Sequence, residues 1–129
     1  FGPTHKTQII SKLLIQLKKG KTVFVADDIY STPIYSPDLS KFVYNNCIKN
    51  DLYFEKKMIH FTGENTYSIY DLIYNLSKHI KGVNLNKIIK VKDAYFKSKV
   101  KIKPKNLGLT SIYSSCIKKI NFKVAKQLI

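Results

Sequence analysis

Three histidines, His5, His60 and His79, and one pair of adjacent carboxylates, Asp27-Asp28, are the residues whose types most readily suggest chemistry. The histidines are widely separated and show no spacing by which imidazoles converge on a metal ion. His60 alternates with Met58 in a run that reads as a strand, which suits a half-buried structural residue. Neighbouring carboxylates on extended backbone point to opposite faces, so Asp27 and Asp28 are not placed as an acid–base pair. Asp28 reads instead as a residue that caps a loop or lines a pocket. Cys47 and Cys116 are too few for a secreted disulfide scaffold and lack C-x-x-C spacing, so they read as two buried free thiols in a reducing compartment.

The 129 residues, 44% hydrophobic and 12% aromatic, suit one folded unit spanning 1–129. The longest apolar runs are only a few residues, far short of a membrane span, and no secretory pattern opens the chain. A cytoplasmic, soluble protein is expected, with no membrane partner. The chain opens at Phe1-Gly2-Pro3 without an initiator methionine, as would a processed or engineered product or a piece of something longer. A net charge of +15 would attract polyanions. All 23 basic residues are lysine, however, and no arginine is present to fork onto guanine edges or phosphates. With abundant Ile, Asn and Tyr, this is the residue usage of an AT-rich genome, and a nucleic-acid partner is disfavoured.

The elements that would position these residues follow from periodicity and punctuation. Ile9, Ile10, Leu13, Leu14 and Leu17 share one face of a helix over about residues 5–19, with Thr4 as candidate cap and Gly20 as stop. Thr22–Val25 reads as a strand ending at Asp27-Asp28. Pro33 holds Thr32–Tyr35 extended at an edge, and Ser36 then caps a helix from Pro37 to about Lys49 that buries Leu39, Phe42, Val43 and Cys47. Residues 57–62 form a strand candidate closed by Gly63. Ser68-x-x-Asp71 is a capping box for a helix running to about Lys81 and ended by Gly82. Ile88–Val91 reads as a strand. Lysines alternate through 97–103 as on a solvated strand face, and a final amphipathic stretch carries Ile117, Ile120, Phe122, Val124 and Leu128.

Taken in order, "FGP", "KKGKTVFVADD", "STPIYSPDLSKFV", "MIHFTGENTYSIYDLI" and "KIKPKNLGLTS" resemble the C-terminal, substrate-binding part of extended short-chain dehydrogenase/reductases acting on sugar nucleotides. The closest branch is the dTDP-4-dehydrorhamnose reductase-like group, and the likeness covers almost the whole chain. It implies an α/β fold: the C-terminal part of a Rossmann-type enzyme, helices with short strands, lacking the N-terminal Rossmann half. By the same resemblance Asp28, Tyr30, Ser31, Thr32 and Pro33 line the pocket for a dTDP-sugar, and Lys103 stands where the family has an arginine beside the diphosphate. The helix from Pro37 would pack on the nucleotide-binding domain. Lysine keeps the charge at that position but loses the fork geometry.

The resemblance implies NAD(P) for the full-length parent, held by a Gly-rich turn, with a Tyr-x-x-x-Lys pair for proton delivery. No such glycine motif occurs among the five glycines. Tyr53/Lys57, Tyr74/Lys78 and Tyr95/Lys99 match the pair's spacing, but nine tyrosines and 23 lysines in 129 residues give about 1.6 such matches by chance. All three also lie downstream of Gly2-Pro3, whereas the family's pair lies upstream. The chain alone is therefore expected to be catalytically incomplete, with no catalytic residue, no metal ligand and no cofactor of its own. Two other classes stay open: a non-catalytic regulatory or interaction subunit of the same fold, and a basic nucleic-acid-binding domain. A homo-oligomer is compatible with each.

Overall fold

The computed structural model describes residues 1–2, 8–50, 58–96 and 104–129. Among these, three α-helices are formed by Ile9–Lys18 (α1), Ser36–Val43 (α2) and Ile69–Ser77 (α3). The strands are Val23–Ala26 (β1), Tyr30–Ser31 (β2), Thr62–Gly63 (β3), Tyr67–Ser68 (β4), Ile88–Val91 (β5), Asn106–Leu107 (β6) and Ile117–Lys118 (β7). The architecture is mixed α/β with small sheets.

Ile10, Leu14 and Leu17 of α1 are buried, Leu13 is half-buried and Ile9 is exposed. The helix starts after Gln8, and the expected cap Thr4 lies outside the described residues. It stops in a Schellman motif: Gly20 adopts φ 74°, its N–H bonds Leu17 O at 2.9 Å, and Lys21 N–H bonds Gln16 O at 3.0 Å. The turn delivers the chain into β1, which pairs in parallel with β5 from Val23↔Ile88 to Ala26↔Val91. The expected capping box is present at α3: Asp71 N–H bonds Ser68 Oγ at 3.0 Å, and the Asp71 carboxylate accepts the Ser68 N–H at 3.3 Å. Leu72, Ile73 and Leu76 of α3 meet Leu14 and Leu17 over Val23, Val25 and Ile88, and this is the core. Truncating Leu14, Ile73 or Leu76 to alanine there costs about 2–5 kcal/mol.

The two smaller sheets are made of dipeptides. β2 is central between β4, antiparallel, and β6, parallel, and the Thr32–Tyr35 piece that follows it belongs to no strand. β3 pairs in parallel with β7. Gly63 is one of the paired residues, and 58–61 are unpaired; Met58 is exposed, and so is His60, against its expected half-burial. Residue 57 lies outside the described set, as do the alternating lysines of 97–103. The final amphipathic stretch folds as a 3-10 helix over Phe122–Gln127, with Ile120, Ala125 and Leu128 buried.

α2 departs most from expectation. Tyr35, not Ser36, holds the N-cap position, and Pro37 is the second helical residue, where its missing N–H is still harmless. From Tyr44 to Ile48 the helix widens into a π-helix. No α2 residue is buried: Leu39 and Phe42 are half-covered, and Val43, Tyr44 and Ile48 are exposed. Cys47 is likewise half-buried, so only Cys116 matches the expected buried thiol. Phe1 lies beside Tyr35 as in a parallel ladder, its nitrogen donating to Ile34 O at 3.0 Å and its carbonyl accepting Ser36 N–H at 2.7 Å. No described helix is long and apolar enough to cross a membrane.

Candidate functional site

Parallel pairing sends β1 and β5 out of their sheet at the same edge, the place where open α/β sheets hold ligands. A cavity of about 350 Å³ lies there. Ile9 and Leu13 of α1 form one wall, and Phe24, Val25 and Ala26 of β1 with Ile29 form another. Ile69, at the start of α3, and Asp93 and Phe96, from the 3-10 turn after β5, complete it. Phe24 stacks on Tyr95 with centroids 5.3 Å apart, and Tyr95 meets Phe96 edge-on at 5.4 Å, which fixes the aromatic rim. The lining is apolar with a single carboxylate. It suits a flat or aliphatic moiety held by contact area and offers no acid–base pair.

The residues after β1 are tied to the segment that follows β5. Asp27 N–H bonds Val91 O at 3.0 Å, which extends the ladder by one residue. The Asp27 carboxylate then takes the Lys92 ammonium at 3.0 Å, and this hydrogen bond and charge raise the Lys92 pKa. Asp28 accepts the Asp93 backbone N–H at 2.8 Å. The two neighbouring carboxylates thus hold different partners. Asp28 fixes the turn that carries Asp93 and Phe96 into the wall, and Ile29 lines the cavity itself.

Tyr30 and Ser31 lie in β2, where Tyr30 N–H bonds Lys105 O at 2.8 Å and the Tyr30 side chain is exposed. Thr32 and Pro33 are held in a clasp. The Thr32 hydroxyl accepts Leu109 N–H at 3.0 Å and receives the Thr62 hydroxyl at 2.8 Å. Thr62 Oγ1 also stands 2.9 Å from Leu109 O. A Cβ on Gly63 would fall 2.4 Å from the Pro33 carbonyl oxygen, so only glycine fits there. Of the six residues singled out by sequence, Asp28 is joined to the cavity wall, and Tyr30, Ser31, Thr32 and Pro33 do not line it. Lys103 lies outside the described residues. Sequence reasoning missed Ile9, Leu13, Phe24, Ile29, Ile69, Asp93 and Phe96. Their available signal was the coincidence of two strand ends, which needs the β1–β5 pairing to be known. Among the described residues no group of His, Cys, Asp and Glu could hold a metal ion.

No protein-family model and no curated protein matches the chain. Solved structures do. Over 99% of its length the chain superposes on a dTDP-4-dehydrorhamnose reductase from Yersinia enterocolitica, with TM-score 0.69 and 23% identity, covering 45% of that chain. Over 86% it superposes on a dTDP-4-dehydrorhamnose reductase from Bacillus anthracis solved with NADP, with TM-score 0.65 and 20% identity, covering 36% of that chain. These likenesses define the fold as one found within dTDP-4-dehydrorhamnose reductases. The chain spans less than half the length of either structure.

Proposed function

We propose that this chain is the sugar-nucleotide-binding portion of an NAD(P)-dependent dTDP-4-dehydrorhamnose reductase-like enzyme, catalytically incomplete without a Rossmann half. The observation that carries this reading is the cavity at the carboxyl ends of β1 and β5 in a chain that superposes on part of two such reductases. Its apolar walls suit the base or the deoxysugar of a dTDP-sugar, and Lys103 is assigned by resemblance to the diphosphate.

The glycines do not fit a dinucleotide. Gly20 and Gly82 follow helices instead of opening them, and Gly63 is pressed against Pro33. No step through nicotinamide is assigned to this chain. The exposed edge Val43, Tyr44 and Ile48 suits contact with the other half of such an enzyme. A regulatory subunit of the same fold would use the same edge without turnover.

The test is an assay of the purified chain with NADPH and a dTDP-4-keto sugar, beside a binding titration with dTDP. Binding without oxidation of NADPH is expected. Turnover would overturn the incompleteness, and absence of dTDP binding would overturn the site.

A further inference from the structure

A second cavity, of about 230 Å³, shares no lining residue with the first. One wall is a face of α2 and its π-helical continuation, carrying Asp38, Lys41, Phe42 and Asn45 at helical spacing. The other wall brings Phe61, Ser115 and Lys118.

Both walls have a fixed frame. Lys118 belongs to β7, paired with Gly63, and its carbonyl accepts Glu64 N–H at 3.0 Å. Phe42 and Phe61 are in ring contact with centroids 4.8 Å apart, which closes the apolar side. The π-helix is a second observation at the same place. Lys49 N–H reaches Tyr44 O at 2.8 Å, and side-chain amides hold the carbonyls beside this wide rung: Asn46 Nδ2 bonds Phe42 O at 2.9 Å and Asn50 Nδ2 bonds Asn45 O at 2.6 Å. Widened turns of this kind are frequent at functional sites.

The cleft's charges are two ammonium groups against one carboxylate, and Ser115, Asn45 and Asn46 add a hydroxyl and two amides to the lining. Two lysines favour an oxyanion. Asp38 repels a fully ionised oxyanion but accepts a hydrogen bond from one that retains a proton. We propose that this cleft binds a protonated phosphate group, with Lys41 and Lys118 on the ionised oxygens and Asp38 accepting from P–OH. The phosphate is free or carried by a small phosphomonoester. A monoester has a second pKa of about 6, so near neutrality it has mostly lost the proton that free phosphate keeps.

The test is an amide NMR titration of the 129-residue chain with phosphate near neutral pH, against sulfate at matched ionic strength. Saturable shifts are expected at Lys41, Asn45, Ser115 and Lys118, with phosphate about tenfold tighter than sulfate, which has no proton to give. Lys41→Ala and Lys118→Ala should each weaken phosphate about tenfold, while Lys126→Ala, outside the cleft, changes nothing. Asp38→Ala, which leaves no acceptor for the P–OH, should erase the preference over sulfate, and it serves as the readout if either lysine variant melts early. Phenyl phosphate matching free phosphate at about pH 5.5 identifies a monoester as the source; binding weaker at both pH values identifies free phosphate. Equal affinity for sulfate, equal effects of Lys126→Ala and Lys118→Ala, or no saturation at these amides would overturn the proposal.

Discussion

The carboxylate of Asp28 accepts the backbone N–H of Asp93 at 2.8 Å, and this bond joins the segment leaving β1 to the turn leaving β5. Two residues 65 positions apart thereby hold together the segments that carry Ile29 and Phe96 to one cavity. The bond is charge-assisted and half-buried, so Asp28→Ala should cost about 1–2 kcal/mol of stability, and Asp28→Asn less, since an amide oxygen still accepts. Urea denaturation of both variants measures this. Equal losses would show that the charge, and not the acceptor, holds the turn.

The Thr32–Thr62 clasp should behave as one unit. Thr62→Val and Thr32→Val each remove a hydroxyl from a shared network and should cost about 1 kcal/mol. The double variant should lose less than the sum. Strict additivity in a double-mutant cycle would mean the two hydroxyls act separately.

Gly63→Ala places a methyl group 2.4 Å from the Pro33 carbonyl, a backbone atom that cannot swing aside. Overpacking of this kind costs about 1–3 kcal/mol. Gly82→Ala, at φ 84° with open space around it, should be milder, since its strain is conformational alone. Thermal melts of the two variants rank them.

Tyr35 supplies a pH signature. Burial, and then the charge of Asp38, raise its pKa above the ordinary value of 10.0, and its hydroxyl donates to Gln127 Oε1. The folded state therefore favours the neutral phenol. Its contribution is full below about pH 10 and is lost as pH rises through the raised folded value. Tyr35→Phe should lower stability near neutrality by about 1 kcal/mol and flatten the fall above pH 10. Denaturation midpoints across alkaline pH check both halves.

Where local rules act alone, sequence and structure agree. The Ser68/Asp71 capping box, the glycine stop after α1 and the β-branched runs of β1 and β5 each carry their signal within a few residues. The dipeptide strands β2, β3, β4, β6 and β7 are too short to show alternation, and their pairing is set by partners tens of residues away. The same holds for the site. Ile9 and Leu13 read as core because their spacing is helical, yet they face a cavity. Thr32 is placed in a pocket by resemblance alone, and its bonds to Thr62 and Leu109 join residues 30 and 77 positions away that no local pattern announces. α2 misled most, because its apolar spacing promises burial that no described part of this chain provides.

The most direct measurement is an amide NMR titration of the chain with a dTDP-sugar, repeated with single-stranded DNA at two salt concentrations. A sugar-nucleotide site at the strand ends should give saturable shifts at Ile29, Ile69, Asp93 and Phe96 that survive added salt and are lost in Phe96→Ala. DNA should give, at most, shifts scattered over the lysines that fade steeply with salt. A dTDP-sugar that leaves those four residues unmoved, or that shifts only the lysine-flanking amides as DNA does, would contradict the assignment.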